Sequence, residues 1–189
     1  MVIHSVSVGE TLAAKRLIEQ LLRQEPGQKI LITCMTPTAR ELIQQHFGDA
    51  VSCRYWPIDT PGAAKRFVRK FKPKAVWVME TELWPQMLNQ FSKANIPVAL
   101  LNARLSARSA AGYRRFHWLM KKVWKQLTLV SVQNKETARR MKVLGVPDSV
   151  LFVDGNLKYD IELSVTDIEK ALLWRQSCAS RQVWLASSS

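Results

Sequence analysis

The chain has few cysteines. Cys34, Cys53 and Cys178 stand far apart, with no C-x-x-C pair and no Cys/His cluster. This spacing excludes a disulfide framework and a zinc module, and it points to free, buried thiols in a reducing compartment with no metal site. No run approaches the roughly eighteen apolar residues of a membrane-spanning helix. The chain opens directly on a strand-like segment, without the basic and apolar regions of a secretory leader, so neither secretion nor a membrane span is expected of these residues. No G-x-G-x-x-G follows the first strand-like segment and no G-x-x-x-x-G-K-[ST] occurs anywhere, which sets aside dinucleotide and P-loop binding. Acidic residues are also in the minority. Fifteen Asp and Glu against 28 Lys and Arg leave a net charge of +13. That excess calls for a polyanionic partner: a nucleic acid, an anionic membrane face or a phosphorylated substrate.

At 189 residues and 47% hydrophobic, the chain can bury roughly 70% of its unfolded surface in one domain and still leave a remainder. Short apolar runs alternate with helical patterns. Val2 to Val8 reads as a strand entering a Ser/Gly turn, and Thr11 to Gln24 repeats Leu12, Leu17, Leu21 and Leu22 at helical spacing. Lys29 to Met35, Val51 to Tyr55, Ala75 to Met79, Pro97 to Leu101, Leu127 to Val132 and Val150 to Val153 read as further strands. Helices are expected after Thr36-Pro37, over Ala63 to Phe71, Gln86 to Ala94, Arg108 to Gln126 and Lys135 to Leu144. Such alternation implies right-handed crossovers in one open, mostly parallel sheet, an α/β Rossmann-like domain. That domain is expected over 1–153, with a turn-rich linker over 154–166. A helix over Asp167 to Ser177 and a strand over Gln182 to Ala186 then read as the truncated beginning of a second domain, 167–189.

Ligands of open parallel sheets bind beyond the carboxyl ends of the strands. Ser7 and Glu10, Thr36 and Thr38, Asp59, Glu80 and Glu82, Asn102 and Arg104, and Gln133 follow the predicted strands. The group suits a hydroxyl-bearing or anionic ligand. The plainer alternative is helix capping, strongest for Thr36, Thr38, Ser106 and Gln133. Ser7-x-x-Glu10 itself has the form of a capping box, with Glu10 reaching back to the N-cap. Glu10 in the first helical turn is expected to have a lowered pKa, because the helix N-terminus favours the ionised form. Glu80, Glu82 and Arg104 invite mutual pairing or ligand contact. Six of the ten positions 65–74 are Lys or Arg, which a solvated helix face also explains.

His4-Ser5-Val6-Ser7-Val8-Gly9-Glu10, Met35-Thr36-Pro37-Thr38, Met79-Glu80-Thr81-Glu82-Leu83-Trp84-Pro85, Asn102-Ala103-Arg104-Leu105-Ser106 and Gly155-Asn156-Leu157-Lys158 together resemble the Kdo transferases, the 3-deoxy-D-manno-octulosonic acid transferases of lipopolysaccharide synthesis. The resemblance covers residues 3 to 158. It implies a two-domain GT-B glycosyltransferase whose N-terminal Rossmann-like domain binds the lipid A precursor, with CMP-Kdo held by a C-terminal domain missing here. Because that donor-binding domain is not among these residues, they are expected to be inactive alone, and the family's N-terminal membrane anchor is not expected among them either. By the same resemblance, Glu10 is the base that deprotonates the acceptor sugar's primary hydroxyl as it attacks the anomeric carbon, with inversion and without a cofactor.

Within that frame Ser7, Gly9, Thr36, Thr38, Glu80, Glu82, Asn102 and Arg104 are expected on the acceptor side. Gly9 allows close approach to the sugar, Asn102 and Arg104 hold a phosphate or the sugar, and Glu80 and Glu82 orient Arg104 or a hydroxyl. Asn156 and Lys158 are expected on the interdomain, donor side. The expected location is peripheral, on the cytoplasmic face of a bacterial inner membrane. On the long helix over 108–126, Tyr113, Phe116, Met120, Val123 and Trp124 form the inner face, while Arg114, Arg115, Trp118, Leu119, Lys121 and Lys122 face an anionic membrane surface. A nucleic-acid module would use the same charge, but no Cys/His finger, RNP-like strand or helix-turn-helix is visible, so no nucleic acid is expected. A non-catalytic sugar- or nucleotide-binding Rossmann domain is the remaining alternative.

Overall fold

The computed structural model describes residues 1–159, 165–178 and 181. Residues Met1–Lys158 form one compact unit and Tyr159–Ser189 a second. In the first unit, seven strands run parallel: β1 (Val2–His4), β2 (Leu31–Cys34), β3 (Ser52–Tyr55), β4 (Val76–Met79), β5 (Val98–Ala103), β6 (Leu129–Val132) and β7 (Leu151–Val153). Their order is β3-β2-β1-β4-β5-β6-β7. The order reverses between β1 and β4. This is the topological switch point of a doubly wound sheet, where the loops after adjacent strands diverge and leave a crevice.

Helices α1 (Val8–Gln24) and α2 (Pro37–Phe47) cover one face, packing Ala14, Ile18, Ala39, Ile43 and Phe47 onto Ile3, Ile32 and Met79. The opposite face carries α3 (Pro61–Phe71), α4 (Pro85–Lys93), α5 (Ala107–Arg115), α6 (His117–Trp124) and α7 (Lys135–Val143). Phe67, Phe91, Trp124 and Met141 meet Val76, Val78, Leu100 and Val130 there. All three residues of β1 and all four of β2 are buried, as expected of central strands covered on both faces. Complete burial of an isoleucine such as Ile3 or Ile32 contributes about 1.5–3 kcal/mol.

Starts follow the sequence. Thr36 and Thr60 cap α2 and α3, each followed by proline in the first turn. Trp84 offers α4 no side-chain cap, and Asp59 supplies it from a distant loop, accepting from Gln86 N at 3.1 Å and Met87 N at 2.9 Å.

The single helix expected over 108–126 is two helices, α5 and α6, separated at Phe116. There the backbone turns to φ −116° and ψ 34°, and the Phe116 N–H bonds back three residues to Tyr113 O. The helix restarts at His117. Met120, Val123 and Trp124 reach the core as expected, whereas Phe116 is exposed rather than inward. In the second unit, α8 (Val165–Ser177) corresponds to the helix expected over 167–177. The strand expected over Gln182 to Ala186 lies outside the described residues.

His4, fully buried at the end of β1, stacks on Trp56 with centroids 4.0 Å apart. It also meets Trp84 edge-on. Its Nδ1 lies 3.1 Å from Thr33 Oγ1, whose own proton goes to Ile3 O, so Nδ1 is the donor of a neutral ring. Burial holds this imidazole down at about 3. The unfolded chain takes up a proton below about 6.5 that the folded chain refuses, so stability is lost as pH falls from about 6.5 towards 3. His4→Phe keeps the stack and removes this proton uptake. Urea unfolding at pH 7.5 and 4.5 should therefore give a smaller acid-side loss for His4→Phe than for the parent, and an identical loss in both would contradict the buried neutral imidazole.

Candidate active site

The switch point brings together three carboxylates from two loops. Glu10 enters from the first turn of α1. Glu80 and Glu82 follow β4. Ser7 is the N-cap of α1, its Oγ accepting from Glu10 N at 3.4 Å and donating to Glu10 Oε1 at 3.2 Å. Glu10 Oε2 accepts from Val6 N–H at 2.7 Å. The capping box thus forms one residue early, with Glu10 reaching Val6 rather than the Ser7 backbone.

Glu10 is 6% exposed. The expectation of a lowered pKa is wrong: burial pushes the carboxyl up to about 7, against the Val6 and Ser7 hydrogen bonds, and the charges of Glu80 and Glu82 add to the rise. Glu82 is raised as well, by burial and then by Glu80. Desolvation and two like charges outweigh a helix terminus, whose contribution is about 0.3–1 kcal/mol. The result is a carboxyl poised near neutrality.

The edge beside this cluster is stitched across neighbouring loops. Glu80 N–H donates to Leu101 O at 2.8 Å. The Thr81 hydroxyl donates to Arg104 O and accepts from Arg104 N–H. Glu80 and Asn102, at the ends of adjacent strands, both hold left-handed backbone with φ of 55°. A register shift between Leu100 and Ala103 makes a bulge in β5, and Asn102 sits in it, 1% exposed.

That burial changes the role expected of Asn102. Its Oδ1 accepts from Leu157 N–H at 3.1 Å and its carbonyl from Gln133 Nε2 at 3.0 Å. Glu80 forms no ion pair with Arg104 among the described residues. Its cationic partner is Lys158, with Nζ 3.7 Å from Oε1, which places Lys158 at the Glu80 carboxylate. Asn156 Oδ1 accepts from Lys158 N–H at 3.0 Å, shaping that turn.

Arg104 is exposed, and its guanidinium has no ion pair among the described residues. Thr36 is engaged as the cap of α2, accepting from Ala39 N at 3.2 Å and from the Thr38 hydroxyl at 3.4 Å. Ser106 and Gln133 are likewise occupied in capping and backbone contacts. A Cβ on Gly9 would meet only Ser7 Oγ at 4.0 Å, so the turn presents open backbone beside Glu10.

Tyr113 was expected only to pack, yet burial and the charge of Glu82 both raise its phenol, which puts α5 beside the acids. Among the described residues no group of three or more His, Cys, Asp or Glu is arranged to hold a metal ion. Arg114, Arg115, Lys121 and Lys122 are exposed, and Trp118 is 76% exposed. The Leu119 side chain lies outside the described residues. No helix among those residues is long and apolar enough to cross a membrane.

The raised Glu10 carboxyl has a thermodynamic consequence. The fold prefers its protonated form, so this contribution to stability is full below about 4.5 and is lost as pH rises through about 7. Gln at position 10 retains an acceptor for Val6 N–H and carries no charge. Glu10→Gln is expected to be on the order of 1–2 kcal/mol more stable than the parent at pH 8, with the gap closing towards pH 4.5. A gap independent of pH in urea titrations would show that the carboxyl is not desolvated.

The comparisons with known proteins agree with this architecture. Residues 1–161 match the family model described as 3-deoxy-D-manno-octulosonic-acid transferase (kdotransferase). The chain is 39% identical over 190 residues to the 3-deoxy-D-manno-octulosonic acid transferase of Haemophilus influenzae, covering 98% of this chain and 44% of the relative. The corresponding Bordetella pertussis protein is 32% identical over 194 residues, with the same coverage. The chain thus spans less than half the length of these relatives. Among solved structures, UDP-GlcNAc 2-epimerase from Neisseria meningitidis bound to UDP-GlcNAc has a TM-score of 0.60 at 16% identity, over 94% of this chain and 54% of that one. Anabaena HepE in complex with UDP and glucose has a TM-score of 0.56 at 15% identity, over 94% and 50%. At those identities the likeness is one of fold. With its motifs in order along the sheet edge and the family model matched over residues 1–161, the chain belongs to the 3-deoxy-D-manno-octulosonic acid (Kdo) transferase family.

Proposed function

We propose that this chain forms the acceptor-binding half of a GT-B enzyme that moves Kdo from CMP-Kdo to a lipid A precursor, with Glu10 as the general base. The observation that carries the reading is a buried carboxyl at the switch point, raised to about 7 and flanked by the open backbone of Gly9. A base works best when its pKa lies near the operating pH, since it is then substantially ionised and still draws the proton. Glu10 takes the proton of the acceptor's primary hydroxyl as that oxygen attacks the anomeric carbon. The new C–O bond forms on one face while the bond to CMP breaks on the other, which inverts the centre.

The remaining assignments follow from chemistry at the same edge. Arg104, exposed and without an ion pair among the described residues, offers its fork to an acceptor phosphate. The donor is held by residues beyond this chain, and neither a metal nor another cofactor is invoked. Arg114, Arg115, Trp118, Lys121 and Lys122 give α5 and α6 an aromatic and cationic surface suited to an anionic leaflet. The corresponding location is peripheral, at the cytoplasmic face of the inner membrane.

In the two-domain enzyme, Glu10→Gln should lower kcat about 10²–10⁴-fold with acceptor binding retained. A rate near that of the parent would sink the assignment of the base. For the chain itself, a lipid A precursor in a detergent-matched titration should bind saturably, and Arg104→Ala should weaken that binding. An equally charged oligonucleotide at near-physiological salt should compete poorly. Equal or better binding of the oligonucleotide would mean that charge alone governs recognition.

A further inference from the structure

The Gly155–Lys158 segment follows β7 and crosses back towards the ends of β5 and β4. The sheet ladder closes with Asp154 N–H donating to Val132 O at 3.2 Å. Beyond that point the segment's hydrogen bond to the sheet is from Leu157 N–H to Asn102 Oδ1. The next residue, Lys158, stands over Glu80.

Asn102 makes this contact at a cost. Its backbone is left-handed, and its Nδ2 is buried without a partner among the described residues. Each of these is unfavourable by itself. An exposed asparagine in a regular strand would incur neither, so the bulge is explained by what Oδ1 reaches.

We propose that Asn102 and Lys158 are positioning residues for the Glu10 base: the β5 bulge latches the Gly155–Lys158 segment, and the latch holds the Lys158 ammonium against the Glu80 carboxylate so that Glu80 does not act on Glu10 unopposed. This rests on Glu10 being the base.

The groups facing Glu10 can be named. Glu80 and Glu82 come from the loop after β4 and raise its proton affinity. Tyr113 on α5 feels Glu82, and Ser7 and Val6 donate from the entry to α1. Lys158 is the cation paired into this set. Without its charge, Glu80 bears on Glu10 at full strength, and Glu10 keeps its proton to higher pH.

The test follows the Glu10 titration by carboxyl ¹³C NMR in the whole chain, with Glu10→Gln identifying the resonance. Lys158→Met is expected to raise the Glu10 midpoint by about 0.5–1 pH unit, and Lys158→Arg to leave it near the parent value. Asn102→Gly suits the left-handed backbone and deletes only the latch. It should move the midpoint in the same direction as Lys158→Met. An unchanged or lowered midpoint in Lys158→Met, with the amide spectrum of the parent retained, overturns the proposal. An upward shift that Lys158→Arg shares equally also overturns it, because the effect would then not be one of charge. A parent-like midpoint in Asn102→Gly removes the latch from the account. This readout needs no turnover, so a fully active Glu10→Gln enzyme would defeat the functional reading while leaving the titration to be judged separately.

Discussion

The desolvation of one carboxylate sets the terms for everything around it. Glu10 sits where two opposed influences meet. The first turn of α1 and the N–H of Val6 favour its charge, while burial and the neighbouring carboxylates oppose it. Because an uncompensated buried charge is far more expensive than a helix terminus is favourable, the opposition prevails and the group titrates near neutrality. The backbone pays for this arrangement elsewhere, with Glu80 held in left-handed geometry that glycine or asparagine adopts more readily. A side chain as long as glutamate tolerates that backbone only where its surroundings fix it. Here the Glu80 N–H is held by Leu101 O and its carboxylate by Lys158.

These contacts extend along the whole carboxyl edge from β4 to β7. Thr81 joins the loops after β4 and β5, Gln133 ties the loop after β6 to Asn102, and Arg140 from α7 donates to Leu105 O at 2.7 Å. Each hydrogen bond is modest, with a net value of about 0.5–1.5 kcal/mol. Together they fix loops that would otherwise move independently. A general base is effective only when its orientation is held to a fraction of an ångström, and loops joined to one another supply that rigidity better than loops that merely end strands.

Much of this was legible in the residues. The apolar runs Lys29 to Met35 and Ala75 to Met79 mark strands, and Thr36-Pro37 marks a helix start, because those signals are local. Glu10, Glu80 and Glu82 were recognisable as strand-end acids, and the sheet order brings their loops to one crevice. What escaped depends on three-dimensional context. The sign of the Glu10 shift follows from burial, which a first-turn glutamate in a capping-box pattern does not reveal. The bulge at Asn102 carries no glycine to announce it. The interruption at Phe116 has neither glycine nor proline, and it follows from turning Met120, Val123 and Trp124 onto the core. Lys158 pairs with a residue 78 positions earlier in the chain, a distance no periodicity spans.

The charge of the molecule is arranged on two scales. An acidic cluster lies within a chain of net charge +13, and under the proposed function an anionic acceptor that reaches Glu10 must approach Glu80 and Glu82 as well. At physiological ionic strength, fields fade over about 8 Å. Beyond that distance an approaching anion is steered by the surrounding lysines and arginines. Inside it, Lys158 and the exposed Arg104 stand on the same edge as the acids. A surface entirely basic up to the crevice would hold phosphates indiscriminately and would depress the proton affinity of Glu10. A crevice without Lys158 would repel an anion more strongly and favour the protonated form of Glu10. Attraction at long range and a partly neutralised acid cluster at short range are therefore compatible demands, met by putting the positive excess on the outer helices and one lysine beside Glu80.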